Sequence, residues 1–180
     1  MLLIFLSGLD TKEEKDKLTQ IYETYYGTML SVARGILFDK AMAEDAVSDS
    51  IMTIIDNLHK INDVSSHKTR GYIVIIVRTR AINLLNKQKR YKEEPFNDFE
   101  IMDNGISVLD TITIEESCNK IISIIKELPK SLSDILYLSV VMENSNSEIS
   151  KLLNLSNDVV RKRLSRAKAQ IRRKLVQEGD

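Results

Sequence analysis

The sequence predicts an all-α protein built from two small helical domains. Apolar residues make up 43% of the 180 residues, while Gly and Pro number only 6 and 2, a composition typical of a globular, helix-rich chain. Apolar side chains recur every three or four residues, as on one face of an amphipathic helix. Residues 93–113 lack this spacing, contain Pro95 and Gly105, and predict a flexible acidic linker between domains at residues 1–92 and 114–180.

Three amphipathic helices are predicted in the first domain. The first spans about residues 15–38 and the second about residues 41–58. A polar loop follows, and a third helix spans about residues 69–89. The β-branched run at residues 73–77 has local strand propensity, but the surrounding spacing and the absence of a partner strand favour a helix.

Four helices are predicted in the second domain. The first ends before Pro129, the next two span about residues 131–141 and 147–153, and the last ends near residue 176. Asn154 tolerates the left-handed conformation of a tight turn, and Ser156 has the side chain of an N-cap. A short helix, a tight turn and a longer helix with a polar start are typical of a helix-turn-helix motif.

The charges of the chain are segregated although 26 basic and 26 acidic residues give a net charge of zero. Residues 161–174 carry eight basic side chains and no acid, and residues 78–92 carry six and no acid. Acidic residues dominate two other stretches, residues 39–56 and 98–116. The pattern predicts two basic and two acidic surfaces, which matter for partners even when the sum vanishes.

Several function classes are disfavoured by what the sequence lacks. Cys118, His59 and His67 are too few for a disulfide framework or a structural zinc site, so we expect a reducing compartment and no metal. The apolar first six residues lack the features of a leader, and no apolar stretch reaches the length of a membrane span, so a cytoplasmic protein without membrane insertion is expected. Without a nucleophile–histidine pair or a glycine-rich phosphate loop, neither an enzyme nor a cofactor is expected.

The last helix has the chemistry of a DNA-binding helix. The free N–H groups at its start, together with Ser156 and Asn157, suit a backbone phosphate. Arginines on one side of it suit guanine O6 and N7 in a major groove. A solvated basic face is the simpler alternative, but the turn and the absence of acids favour DNA. The expected base readers are Arg161, Lys162, Ser165 and Arg166, and the expected phosphate contacts are Arg163, Lys168, Arg172 and Arg173.

Both domains resemble bacterial RNA polymerase sigma factors of the extracytoplasmic-function (ECF) group. Residues 128–168, with ISKLLNLS at 149–156 and VRKRLSRAK at 160–168, resemble sigma region 4. The segments that resemble sigma region 2 are IYETYY at 21–26, AEDAVSDS at 43–50, and GYI at 71–73 through RTRAINLL at 78–85. The resemblance covers about residues 15–92 and 114–176 in the family's order.

The resemblance implies a sigma factor whose region 4 reads the −35 element and whose region 2 opens and captures the −10 element. The implied partners are promoter DNA, core RNA polymerase (its β′ clamp coiled coil and β flap) and an anti-sigma factor. The loop at residues 62–68 would hold a flipped-out base, and Asn83 would stand near the −10 bases. The implied −10 contacts are Asn62, Ser65, Ser66, Lys68, Arg80, Asn83 and Lys87, and the implied polymerase contacts are Asp45, Ser48 and Asp49.

Three residues depart from the family pattern. Asn154 stands where Gly is usual, and Val159 replaces the more usual Thr, which removes one possible phosphate contact. Tyr72 stands where Trp is commoner, and we expect it to be a core residue rather than a wedge between bases. These departures bear on promoter sequence and melting efficiency rather than on the class of protein.

Two other readings remain open at the level of sequence. A stand-alone helix-turn-helix regulator would use its first domain for dimerisation or sensing, and would bind a palindromic operator as a dimer. A helical adaptor would have no DNA-dependent activity and would leave both basic helices unexplained.

Overall fold

The computed structural model describes residues 2–91 and 119–177, and every regular element within these ranges is a helix. The described residues fall into two compact units, residues 2–91 and residues 119–177. The predicted linker at 93–113 and Cys118 lie outside the described residues.

The first unit is a bundle in which three long helices pack against one another. They correspond to the three predicted helices. A short N-terminal helix packs on the first of them, and a 3₁₀ turn precedes the polar loop. The elements are α1 (Leu2–Ser7), α2 (Lys12–Ile36), α3 (Lys40–Ile55), the 3₁₀ turn (Leu58–Lys60) and α4 (His67–Tyr91).

Side-chain caps determine where α2 and α3 begin. The Thr11 hydroxyl accepts the Glu14 N–H at 3.2 Å, and the Glu14 carboxylate accepts the Thr11 N–H at 3.2 Å, a reciprocal capping box. The Asp39 carboxylate likewise accepts the Met42 N–H at 2.8 Å. The predicted start of α2 near residue 15 was late because periodicity alone misses the cap. The helix α1 was also not predicted, and it leaves Leu3 and Ile4 exposed.

The middle of α4 is buried on all sides. Every residue from 71 to 78 is buried, because α2 and α3 both pack on this helix. A helix buried all round has no polar face, which explains why residues 73–77 looked like a buried strand. Tyr72 is 1% exposed and Arg78 is 2% exposed. Tyr72 is thus confirmed as a core residue, and the basic surface predicted over 78–92 has to be corrected because Arg78 does not belong to it.

The second unit packs three shorter helices against one long one. Val160, Leu164 and Ala167 of the long helix are buried, while Ile171 and Leu175 near its end are half-buried. This is the predicted core stripe. The helices are α5 (Asn119–Lys126), α6 (Lys130–Val140), α7 (Asn146–Leu153) and α8 (Asn157–Gln177).

The turn between α7 and α8 has the predicted geometry. Asn154 lies in the left-handed region at φ 54° and ψ 48°. The Leu155 N–H then donates to the Ser150 carbonyl at 3.0 Å, and the Ser150 hydroxyl donates to the Leu155 carbonyl at 2.5 Å. The first bond satisfies a carbonyl in the last turn of α7, the second ties the Ser150 side chain to the turn, and together they hold the turn closed. Within the described ranges no helix is both long and apolar enough to cross a membrane.

Candidate nucleic-acid interface

The start of α8 is organised by its own side chains. The Ser156 hydroxyl accepts the Val159 N–H at 3.3 Å, as predicted for an N-cap. Asp158 lies in the first turn and forms an exposed ion pair with Arg161, one turn later. Arg161 was predicted as a base reader, and the ion pair was not predicted, although a spacing of three residues on a helix was the available signal.

The outward surface of α8 is cationic. At 100° per residue, Arg161, Lys162, Ser165 and Arg166 fall within about half of the helix circumference, opposite the buried stripe. Arg163 falls at the margin of that stripe and is half-buried, so it is less available than its neighbours. The predicted contacts that are exposed are Ser156, Asn157, Arg161, Lys162, Ser165, Arg166, Lys168, Arg172 and Arg173.

The loop before α4 is held by hydrogen bonds of its own. The Asp63 carboxylate accepts the Ser65 N–H at 2.9 Å and the Ser65 hydroxyl at 2.7 Å, and these bonds lower the pKa of Asp63. The Ser66 hydroxyl accepts the Thr69 N–H at 3.1 Å and so caps the first turn of α4. Asn62 and Lys68 are exposed on either side. Thus Ser65 and Ser66, predicted as DNA contacts, are also structural elements of the loop.

An open depression of about 690 Å³ lies where this loop meets the start of α2. Asn62, Asp63 and Val64 of the loop line one side. The α2 residues that line the other side are Lys12, Glu13, Asp16, Lys17 and Gln20. Residues of α2 were not predicted here. Nothing local in the sequence connects residues 12–20 with residues 62–64, which come together only in the bundle.

The predicted −10 residues of α4 share a face but do not converge with the loop. Arg80, Asn83 and Lys87 follow one another at three and four residues, so they line one side of the helix. The Arg80 guanidinium donates to the Thr53 hydroxyl of α3 through Nε at 3.1 Å and through Nη2 at 2.9 Å. Lys68 stands about 18 Å from Arg80 along the helix axis at 1.5 Å per residue. The candidate −10 surface is therefore an extended strip.

The predicted polymerase contacts lie on the outer face of α3. Asp45 and Asp49 are exposed one turn apart, and Ser48 is half-buried with its hydroxyl donating to the Glu44 carbonyl at 3.0 Å. Met52 continues the same face and is 51% exposed. Met52 was not among the contacts predicted from the sequence. The face therefore combines two carboxylates with one apolar side chain.

The fold and these surfaces define a class of protein: a two-unit helical factor whose second unit is a helix-turn-helix of the DNA-binding type. Comparison with known families agrees, since the profile of Sigma-70 region 2 matches residues 21–91 and that of Sigma-70, region 4 matches residues 118–171. The chain belongs to the sigma-70 family and is of the ECF type. Comparison with individual curated proteins gave no significant match.

Proposed function

We propose that this sigma factor brings core RNA polymerase to a restricted set of promoters, with residues 114–180 reading the −35 element and residues 1–92 opening and capturing the −10 element. The observation that carries the proposal is the exposed cationic face of α8 directly after the helix-turn-helix turn. Such a face both neutralises phosphates and offers arginine to guanine edges in a major groove.

The −35 contacts divide by position on α8. Arg161, Lys162, Ser165 and Arg166 face outward at the start of the helix, where a recognition helix enters the groove, and are assigned to bases. Ser156 and Asn157 at the helix start bind a phosphate next to the groove, helped by the helix dipole. Arg163 and Lys168 add phosphate contacts, of which the half-buried Arg163 contributes less.

The −10 contacts form two groups. The first group lies on the loop that receives the unpaired base and at the start of α4, and consists of Asn62, Ser65, Ser66 and Lys68. The second group lines the strip along α4 and consists of Arg80, Asn83 and Lys87. Extruding one base costs a few kcal/mol, which contacts in a formed pocket offset. The depression beside Asn62 is large enough for such a base.

The polymerase contacts are Asp45, Ser48 and Asp49. Exposed carboxylates one turn apart on a rigid helix complement a basic partner, here the β′ clamp coiled coil, and raise the rate of association. The β flap is assigned to residues 114–180. An anti-sigma factor is a further partner implied by the ECF type. By binding both units it would keep the sigma factor inactive.

Transcription in vitro with core polymerase and a promoter library tests this function. Wild-type factor is expected to select a small promoter set, and Asp45→Lys with Asp49→Lys to weaken the complex with core. Glu23→Lys makes the same charge change as either aspartate substitution alone and lies on the exposed side of α2, so it is the control for each single variant and should leave the complex unchanged. Failure of the wild-type factor to bind core polymerase would refute the proposal. Binding of a palindromic duplex as a dimer without polymerase would instead favour a stand-alone regulator.

A further inference from the structure

Tyr25 connects α2 to the loop that the proposed function assigns to base capture. Its side chain is 5% exposed, and its hydroxyl donates to the Val64 carbonyl at 2.6 Å, across 39 positions of sequence. Val64 is itself only 6% exposed. The bond is therefore short, buried and long-range, and it reaches the backbone at the centre of the loop rather than its ends.

The neighbouring carbonyl is held by two other side chains. The Asp63 carbonyl accepts the Thr69 hydroxyl of α4 at 2.6 Å and the Ser66 hydroxyl at 2.8 Å. Two successive peptide groups are thus fixed, one from α2 and one from α4. The side chains next to this clamped backbone, Asn62 and Ser65, point to an exposed surface.

We infer that Tyr25 is a positioning residue for capture of the −10 base, an inference that rests on the proposed function. By holding the Val64 carbonyl, it keeps Asn62 and Ser65 where an extruded base meets them. A loop that became ordered only upon binding would lose affinity to the entropy of ordering, whereas a clamped loop does not. A phenylalanine would fill the same core space, so the hydroxyl is the part of Tyr25 that serves the loop.

The chain offers a matched control on the same helix. Tyr22 stacks on Tyr26 with ring centroids 4.7 Å apart, and it is half-buried. Tyr22→Phe removes the same hydroxyl from α2 as Tyr25→Phe does, but away from the clamped peptide. Comparing the two variants separates loss of a tyrosine hydroxyl in general from loss of the bond to the loop.

The experiment uses holoenzyme made from the full chain and core polymerase, on a promoter selected from the library by the wild-type factor. One probe is a single-stranded oligonucleotide carrying the non-template −10 element, and the other is a duplex carrying the −35 element. Tyr25→Phe should weaken the single-strand complex by about three- to tenfold, the effect expected of one lost buried hydrogen bond. It should also reduce the preference for one base at the captured position. Strand opening, measured as the appearance of permanganate-reactive unpaired thymines, should be slower. Duplex binding, core binding and the Tyr22→Phe control should match wild type.

Equal behaviour of Tyr25→Phe and Tyr22→Phe would overturn the inference, and so would an equal loss on both probes. If Tyr25→Phe does not fold, as judged by circular dichroism, Thr69→Val removes one of the two side-chain hydrogen bonds to the neighbouring Asp63 carbonyl and enters the same assays. Unchanged single-strand binding by Thr69→Val would then overturn the inference. If the wild-type holoenzyme selects no promoter, the proposed function fails first and the role of Tyr25 with it.

Discussion

The two units hold their candidate DNA contacts in opposite ways. In the first unit the loop is clamped by Tyr25 and Thr69, and Arg80 is bonded to Thr53 of a neighbouring helix. In the second unit most of the candidate contacts on α8 are exposed, and Arg161 pairs with Asp158 of the same helix. The difference fits the two proposed tasks, because capturing an unpaired base needs a formed pocket, whereas gripping a duplex needs charge that can adapt to the groove.

The largest expected effect tests the exposed side of this contrast. Arg166→Ala removes a proposed base reader whose side chain is exposed, so −35-dependent initiation should fall about 5- to 150-fold, which corresponds to about 1–3 kcal/mol of binding free energy. The loss should be concentrated at one base pair. Lys168→Ala should weaken all sequences alike and reduce the salt dependence. Binding to a set of single-base −35 variants distinguishes the two patterns, and circular dichroism checks the fold. Wild-type activity of Arg166→Ala would contradict the assignment of base readers.

A buried tyrosine makes the second unit sensitive to alkaline pH. Burial raises the pKa of Tyr137 to about 12. A tyrosine in an unfolded chain has a pKa of ~10, so between this pH and the pKa of folded Tyr137 the unfolded state releases a proton that the folded state keeps. The contribution of Tyr137 to the free energy of unfolding should therefore be fully present below pH ~10. The free energy of unfolding should then fall by up to about 2 kcal/mol as the pH rises to ~12. Urea unfolding at a series of pH values tests this. In Tyr137→Phe the free energy of unfolding should fall less steeply between pH ~10 and ~12, because only the other titrating groups then contribute. An unchanged slope would show that Tyr137 has little effect.

The two capping boxes allow a direct comparison of the units. Thr11 caps the 25-residue α2, whereas Ser145 caps the 8-residue α7, with the Glu148 carboxylate accepting the Ser145 N–H at 2.7 Å. Loss of a cap costs about 1 kcal/mol, but a long helix can restart one residue later while a two-turn helix cannot. Ser145→Ala should thus destabilise more than Thr11→Ala, with hydrogen exchange in α7 accelerated first.

Ser147→Ala, at an exposed position inside α7, is the control for that comparison. An effect of Ser147→Ala equal to that of Ser145→Ala would show that the cap is not what holds the helix.

The smallest expected effects concern two left-handed residues of the second unit. Glu143 and Asn154 both have φ 54°. Asn tolerates this conformation better than Glu, so Glu143→Gly should stabilise by about 0.5–1 kcal/mol and Asn154→Gly by a few tenths. Thermal unfolding of the full chain measures both. A larger gain at Asn154 would show that its side chain is strained in the turn.

Much of this molecule could be predicted from local pattern. The seven longer helices, the left-handed Asn154 and the Ser156 cap all follow from spacing and from the preferences of single residues, which act within one or two turns. The cationic outer face of α8 is equally visible, because a helix that buries Val160, Leu164 and Ala167 must turn its cations outward. The helix-turn-helix was therefore available from the sequence by itself.

The tertiary structure decided what depends on contacts between distant residues. Arg78 belongs to a basic stretch in sequence, yet α4 is covered on all sides and Arg78 is buried. The bonds from Tyr25 to Val64 and from Arg80 to Thr53 cross 39 and 27 positions. The periodicity of the sequence does not predict such pairs, because they form only when the helices pack. Neither residue of a pair differs in type from many others in the chain. The sequence determined the helices and their charged faces, while the bundle alone decided which cations reach solvent and which loop is held rigid.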